Sequence, residues 1–507
     1  MKILPAFLAF LCLTVSLTAD EPIDIGSRRE LMIDDYLIDT MSSALRLQLH
    51  KPVRRNVALV TDAAWEGNAC AYSSLFHDGQ RFRMYYTANH YVNRKGRIEE
   101  PRGRHLCYAE STDGIHFTKP ELGLVEFNGS KQNNIVLSGN TVAGVRIDPG
   151  HTTILQDTNP NCPPDARYKA IVRSPVKGER GLFVLKSPDG FHFSRLGDKL
   201  IITDGYFDSE NLAFWDSVRG EYRAYFRDFH DGLPGRGGIR GIKTATSRDF
   251  LTWTKPKWLK YPGAPHEHLY TNQIVPYARA PHIFIGFPKR YTDRGWVDST
   301  EKLSGLAERK ARAQASPRYG SAVSDALMMT SRDGLTFKRW GEAIIRPGPS
   351  RTNSWVYGDN LVSWGILPTK SDLPQAPDEL SIYAIEGYWT GNSQNFRRYS
   401  IRVDGFVSIQ APLSGGAFVT KPIVFQGSQL EINYSTSAAG SIQIEVQDAQ
   451  GNPLPGHALS DCHAVFGDQI ARTVAWKDGE SVKPLAGTSV RLRFVLKDAD
   501  LFSFRFR

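Results

Sequence analysis

A chain of 507 residues is too long for one hydrophobic core, so two or three domains are expected. Hydrophobic residues at 41% beside 23% charged residues exclude bulk disorder, and 44 glycines, 29 prolines and 11% aromatics with few long helical patterns favour an all-β fold. The net charge of +9 would suit nucleic acid, an acidic surface or an anionic polymer; no basic-aromatic nucleic-acid motif is present, which leaves an acidic polysaccharide open.

In chain order, Lys2 precedes a mostly apolar run from Ile3 to Leu17, then Thr18, Ala19 and the first acid, Asp20. That is the layout of a secretory signal peptide over residues 1–19, and it predicts a secreted or periplasmic protein. No later stretch approaches the roughly 20 apolar residues of a membrane span. Residues 20–60 form an N-terminal extension whose LMIDDYLID segment either closes a later ring or packs on a C-terminal domain; its acid pair, Asp34 and Asp35, reads as a turn. Beyond the leader, Cys70, Cys107, Cys162 and Cys462 are far apart with no CxxC pair, so a zinc or thioredoxin-type site is unsupported. One disulfide, such as Cys70 with Cys107, and buried free thiols are equally compatible with them.

Between residues 61 and 410 one short pattern recurs: Ser111-Thr112-Asp113-Gly114, Ser187-Pro188-Asp189-Gly190, Ser247-Arg248-Asp249-Phe250, Ser331-Arg332-Asp333-Gly334, and a degenerate Arg402-Val403-Asp404-Gly405. Asp-Gly supplies the positive φ of a tight turn, and strand-like runs flank each copy. A second hairpin lies upstream of every copy, at 77–88, 164–173, 218–227, 278–287 and 378–388. Two hairpins per unit and five units predict a five-bladed β-propeller. Residues 291–324 interrupt the fourth unit with a polar insertion, including a short helix near 300–313, which is expected over one mouth of the ring. Residues 411–507 switch to alternating strands such as QLEINYST and SVRLRFVL between turn residues, which predicts a C-terminal β-sandwich.

The residues that open the innermost strand of each blade should converge at one end of the channel. Those openings are Trp65-Glu66-Gly67, Ile147-Asp148-Pro149-Gly150-His151, Phe207-Asp208-Ser209-Glu210-Asn211, His266-Glu267-His268-Leu269-Tyr270 and Trp355-Val356-Tyr357-Gly358-Asp359. Each holds a carboxylate, and gathered carboxylates drive one another's pKa values apart, which glycoside hydrolysis needs for its acid and its base or nucleophile. Trp65, His151, Glu267, His268, Tyr270, Arg290, Trp355, Tyr357 and Asp359 are the expected substrate contacts. Arg290 and Arg294 flank the insertion and suit an anionic sugar. His266 and His268 share a strand face, but two histidines are thin for a metal, and none is assigned.

The Ile147-Asp148-Pro149 triplet, the Ser-x-Asp-Gly hairpins and the appended sandwich together resemble the β-fructosidase and arabinanase superfamily of five-bladed propellers, glycoside hydrolase families 32, 43 and 68. The resemblance implies Glu66 as nucleophile or base, Asp148 as transition-state stabiliser and Glu210, or else Asp208, as general acid. The chain departs from that pattern with a glutamate in blade one and without the Asn-Asp-Pro and Glu-Cys motifs. A secreted glycoside hydrolase acting on a carbohydrate, with no organic cofactor and room for a structural calcium, is therefore expected. A lectin-like binding protein and a glycoside phosphorylase, the latter with His151, Arg290 and Arg294 around phosphate, are the alternatives.

Overall fold

The computed structural model describes residues 21–139, 141–142, 144–174, 178–233, 236–352 and 354–507; the leader expected over 1–19 lies outside them. Strand-forming runs such as FRMYYTA, YKAIVR and LSIYAIE are apolar on both faces, and each becomes the second strand of a sheet buried on both sides. From Leu47 to Ser408 the chain builds five four-stranded antiparallel sheets. The first runs Ser73–His77, Phe82–Ala88, His105–Ser111 and Ile135–Ser138; the second Asp148–Gln156, Tyr168–Arg173, Leu182–Ser187 and Ser194–Arg195. The third runs Leu212–Asp216, Glu221–His230, Ile239–Ser247 and Lys257–Trp258. The fourth, Val275–Tyr277, Ala280–Gly286, Met329–Ser331 and Lys338–Arg339, continues into a three-stranded piece of His268–Leu269, Lys289–Asp293 and Ala322–Ala326. In the fifth, Leu367–Thr369, Glu379–Glu386 and Asn395–Arg402 are completed by Val53–Val60 from the start of the chain, with Val60 opposite Asn395 and Val53 opposite Ser400. A parallel bridge between Ser74 and Trp364 joins the first sheet to the fifth. The whole is a β-propeller, its core lying between sheets as Tyr, Phe, Ile and Val clusters.

The recurrent Ser-x-Asp turn is the same device in four copies. Ser111 Oγ donates to Asp113 Oδ1 and accepts from the amides of Asp113 and Gly114, while Asp113 Oδ1 accepts from the amides of Ile115 and His116. Asp189, Asp249 and Asp333 repeat these bonds. The fourth residue of the motif takes a left-handed φ in each: +71° at Gly114, +86° at Gly190, +74° at Gly334, and +67° at Phe250, the one copy without glycine. The degenerate fifth copy turns into no fourth strand; the chain leaves along Val407–Ala411.

The second unit comprises residues 21–46 together with Ile409–Arg507. The extension read as one piece over 20–60 is thus divided: Ile23–Gly26, Glu30–Leu31 and Ile38–Met41 pair with strands of this unit, while Val53–Val60 belongs to the propeller. Its long strands Leu430–Gln447 and Arg491–Phe506 pair throughout, with a register break between Thr436 and Ser441. Phe494 and Phe504 sit on one strand with ring centroids 5.8 Å apart. Ten extended residues span roughly 33 Å, so the strand must curl and carry its sheet back over itself. That curl makes the two layers of a β-sandwich, which meet through Phe494 and Phe504, while Phe418 stacks at 4.6 Å on Phe494, its cross-strand neighbour.

Candidate functional site

All five sheets of the propeller contribute to one cavity of about 360 Å³. The first supplies Tyr72, Thr87, Asn89 and Tyr91; the second Gly150, His151 and Arg173; the third Tyr206 and Asp208. The fourth brings Tyr270 and Lys289, and the fifth Tyr357, Leu361 and Tyr388. Arg104 lines it from the first sheet's third-strand approach, and the insertion adds Arg318 and Tyr319. Seven tyrosines, one carboxylate and five basic side chains thus enclose the space.

The insertion is held in place by arginines. Helix Leu306–Ala313 buries Arg309 and Arg312 rather than apolar side chains. Arg309 donates to the carbonyls of Gly320, Ser354 and Trp355 at 3.2, 3.0 and 2.7 Å, and Arg312 to that of Trp389 at 3.1 Å. These bonds fix the insertion to the fifth sheet's loops and deliver Arg318 and Tyr319 to the cavity wall. The hairpin Val92–Arg94 and Arg97–Glu99 meets the same helix, where the Asn93 amide donates to the Ala311 carbonyl.

Around His151 the charges are tightly arranged. Asp148 Oδ2 lies 2.7 Å from His151 Nδ1, while its Oδ1 accepts the Gly150 amide at 3.0 Å. Arg104 and Arg173 approach the same carboxylate at 3.5 and 3.7 Å. Burial opposes ionisation of Asp148, but the histidine bond and the two guanidiniums outweigh it and hold the carboxyl well below the usual range. With Nδ1 engaged, Nε2 is the ring nitrogen left to exchange a proton in the cavity. Across the third sheet, Asp208 keeps 31% of its side chain exposed and lies 2.7 Å from Arg227 Nη2 as an ion pair.

Several residues expected at the site lie elsewhere. Glu66 is fully buried within the first sheet's loops: Tyr86 donates to Oε1, and the Ala63 amide and Lys119 ammonium donate to Oε2 at 2.9 and 2.6 Å. Its carboxylate serves to stitch this turn, and the wall is made instead by Ala69, Ala71 and Tyr72. Neighbouring Trp65 donates its indole N–H to Asn134 at 2.7 Å, away from the cavity. Glu210 and Asp208 do not share a face, because Phe207 takes a φ of +63° and the Asn211 amide bonds the carbonyls of Phe207 and Ser209 before the strand begins. Glu210 is buried beneath, hydrogen-bonded by Gln273 at 2.5 Å; burial pushes it up to about 8, against the pull of that bond. Asp359 is likewise buried, capped by the amide of Tyr388 at 2.9 Å and pushed up by burial to about 7.

Arg290 is spent on Asp325, bidentate at 2.9 and 2.6 Å, with Glu267 at 3.3 Å. Glu267 also receives Arg339, in a separate pocket behind the fourth sheet. His268 Nδ1 accepts the Arg240 amide at 3.1 Å, Trp355 donates to the Gly348 carbonyl at 2.8 Å, and Arg294 is exposed. Of the expected residues, His151, Asp208, Tyr270 and Tyr357 line the cavity, with Asp148 directly behind His151. Among the described residues no group of three or more His, Cys, Asp or Glu side chains could hold a metal ion, and Cys70, Cys107, Cys162 and Cys462 are free thiols.

No family model matches the sequence, and no curated protein does. Among solved structures the chain is similar to a protein described as a glycoside hydrolase, with TM-score 0.43 and 13% identity over 70% of this chain and 93% of that one. It is similar to an N-acetylgalactosamine deacetylase from F. plautii in complex with blood group B trisaccharide, with TM-score 0.39 and 14% identity over 71% and 95%. A third is a structure from work on the GH130 family of mannoside phosphorylases, with glycoside hydrolases that target β-1,2 mannosidic linkages in Candida mannan, with TM-score 0.38 and 14% identity over 71% and 96%. No residue's role transfers at that identity.

The residues missed in the sequence are mainly Arg104, Arg173, Lys289, Arg318 and the tyrosines at 72, 91 and 388. Lys289 and Arg290 are adjacent on one strand, and successive side chains point to opposite faces, so only one of them can face the cavity. Lys289 does. The alternation of the strand is the signal that separates the two.

Proposed function

We propose that the propeller cavity binds a carbohydrate and cleaves a glycosidic bond, with Asp208 and the Asp148-held His151 as the reacting groups. The observation that carries this reading is the lining itself: tyrosine rings in number, suited to the apolar faces of sugars, around one solvent-reachable carboxylate and one imidazole with a free nitrogen. In the reading, His151 Nε2 passes a proton to the leaving oxygen while Asp208 stabilises or attacks the opposite side of the anomeric carbon; water then bonds to that carbon, giving its proton back to Nε2 and freeing Asp208. Asp148 keeps the imidazole oriented through Nδ1. Arg227, 2.7 Å away, holds the Asp208 carboxylate in place.

A panel of glycans incubated with the full chain, with and without inorganic phosphate, tests the proposal. Release of reducing ends, reduced about a hundredfold or more in both Asp208→Asn and His151→Gln, is the expected outcome. Turnover only with phosphate would make the reaction a phosphorolysis at the same residues. Binding without turnover on every glycan would refute cleavage and leave a lectin-like pocket.

A further inference from the structure

The cationic side of the cavity exceeds what the protein's own acids balance. Arg227 is paired with Asp208, Arg104 with Glu100 at 2.7 and 2.5 Å, and Arg173 with Asp148. Lys289, Arg240 and Arg318 have no salt bridge among the described residues. Lys289 is 1% exposed, and among the described residues its ammonium hydrogen-bonds the carbonyls of Tyr357 at 3.0 Å and Gly358 at 3.4 Å. Arg318 Nη2 donates to the Tyr319 hydroxyl at 3.1 Å, while Arg318 Nη1 and Arg240 Nε are buried with no hydrogen-bond partner among the described residues. One ring gathers most of this charge: Arg227, Arg240 and Lys289 lie 4.5, 5.1 and 4.4 Å from the centroid of Tyr270. The ring's negative face offsets part of the mutual repulsion, but a neutral phenol does not cancel three cations.

We propose that Lys289 and Arg318, with Arg240 behind them, form an oxyanion-binding subsite that takes an anionic group, a carboxylate or sulfate ester borne by the substrate sugar or a free phosphate. The inference rests on the proposed function, since it names the substrate class for the same cavity. Buried, unpaired donors are rare because each costs free energy unless a partner arrives, and a desolvated oxyanion is the partner that Lys and Arg donors fit best. The field is consistent with this: burial lowers the Lys289 ammonium to about 7, Asp359 resists, and Arg227, Arg240 and Arg318 push it further down. An anion seated beside them reverses that last contribution. The fork of Arg318 arrives on the insertion and is stacked on Tyr319 at 4.4 Å, so it is oriented before any ligand binds.

Calorimetric titration of the full chain with inorganic phosphate, glucuronic acid, a sulfated glucose and glucose itself tests this. At least one anion should bind more tightly than glucose, more weakly as salt rises, and about tenfold to a hundredfold more weakly in Arg318→Gln. Lys289→Met should act in the same direction and serves as a second variant if Arg318→Gln lowers the thermal midpoint. Preference for the acidic sugars places the anion on the substrate, whereas phosphate binding lost in the same variants makes it a co-substrate; either result supports the subsite. Equal binding of glucose and glucuronic acid with no phosphate binding overturns it, and so does anion binding unaffected by both variants. Cleavage of neutral glycans alongside those results would leave the glycosidic reading standing and remove only the subsite.

Discussion

Glu66 is the residue at which a catalytic and an architectural role diverge most clearly, and Glu66→Gln separates them. The carboxylate is fully buried and receives Tyr86, the Ala63 amide and Lys119, whose own side chain is 19% exposed. Removing one member of a buried pair costs about 3–5 kcal/mol. Lys119 keeps a second partner, Asp62, at 2.9 Å, and the Gln amide can donate to the Tyr86 hydroxyl while its oxygen still accepts the Ala63 N–H. The lower end, about 3 kcal/mol, is therefore expected. Nine of the ten tryptophans lie between residues 47 and 408, so intrinsic fluorescence in urea follows the propeller. With a slope near ~3 kcal/mol/M, the midpoint should fall by about 1 M while the slope is unchanged. At low temperature, where the variant remains folded, kcat on the cleaved glycan should match that of the wild type. A hundredfold fall in kcat with an unchanged urea midpoint would refute the architectural role and return Glu66 to the chemistry.

Asp148→Asn leaves the imidazole without its anionic partner, and kcat should fall about 10²–10⁴-fold with KM little changed. Glu210 holds its proton in the folded protein between its ordinary pKa and about 8, whereas the unfolded chain releases it, so stability falls as pH rises through that window. Glu210→Gln should abolish that slope and be the more stable form at pH ~9 by a few kcal/mol, read from urea midpoints at two pH values. Gly334→Ala places a Cβ 2.8 Å from Arg223 Nη1 and 2.9 Å from Phe284 at a φ of +74°, and should cost at least about 1–2 kcal/mol of propeller stability. Arg309→Met leaves the carbonyls of Gly320, Ser354 and Trp355 without their donor; the insertion between Asp293 and Ala322 should become protease-sensitive while the core remains protected.

The blade pattern was legible because its turn depends on local chemistry: Ser and Asp, two residues apart and hydrogen-bonded to each other, recur where the third strand ends in four of the five sheets. The strand openings were legible as positions, and four of the five reach the cavity through His151, Asp208, Tyr270 and Tyr357. Which side chain faces inward was not, because the openings are bends and left-handed residues at Phe207 and Trp355 instead of strands, so a period of two fails there. Nor could the sequence display Arg318, which reaches the wall only because buried Arg309 and Arg312 hold the insertion through distant carbonyls. Long-range hydrogen bonding of that kind leaves no periodic trace.

Ring closure by Val53–Val60 has a consequence for biogenesis. Arg55 meets Ser400 across 345 residues of sequence, so the propeller strand made first must wait for the propeller strand made last. At ribosomal speed that interval is roughly 20–70 s, and throughout it two hydrogen-bonding edges lie open to other chains. A nascent molecule is thus most vulnerable to misassembly just before completion, and strain on the seam between its two ends, more than on any other sheet, should set how readily the finished ring reopens.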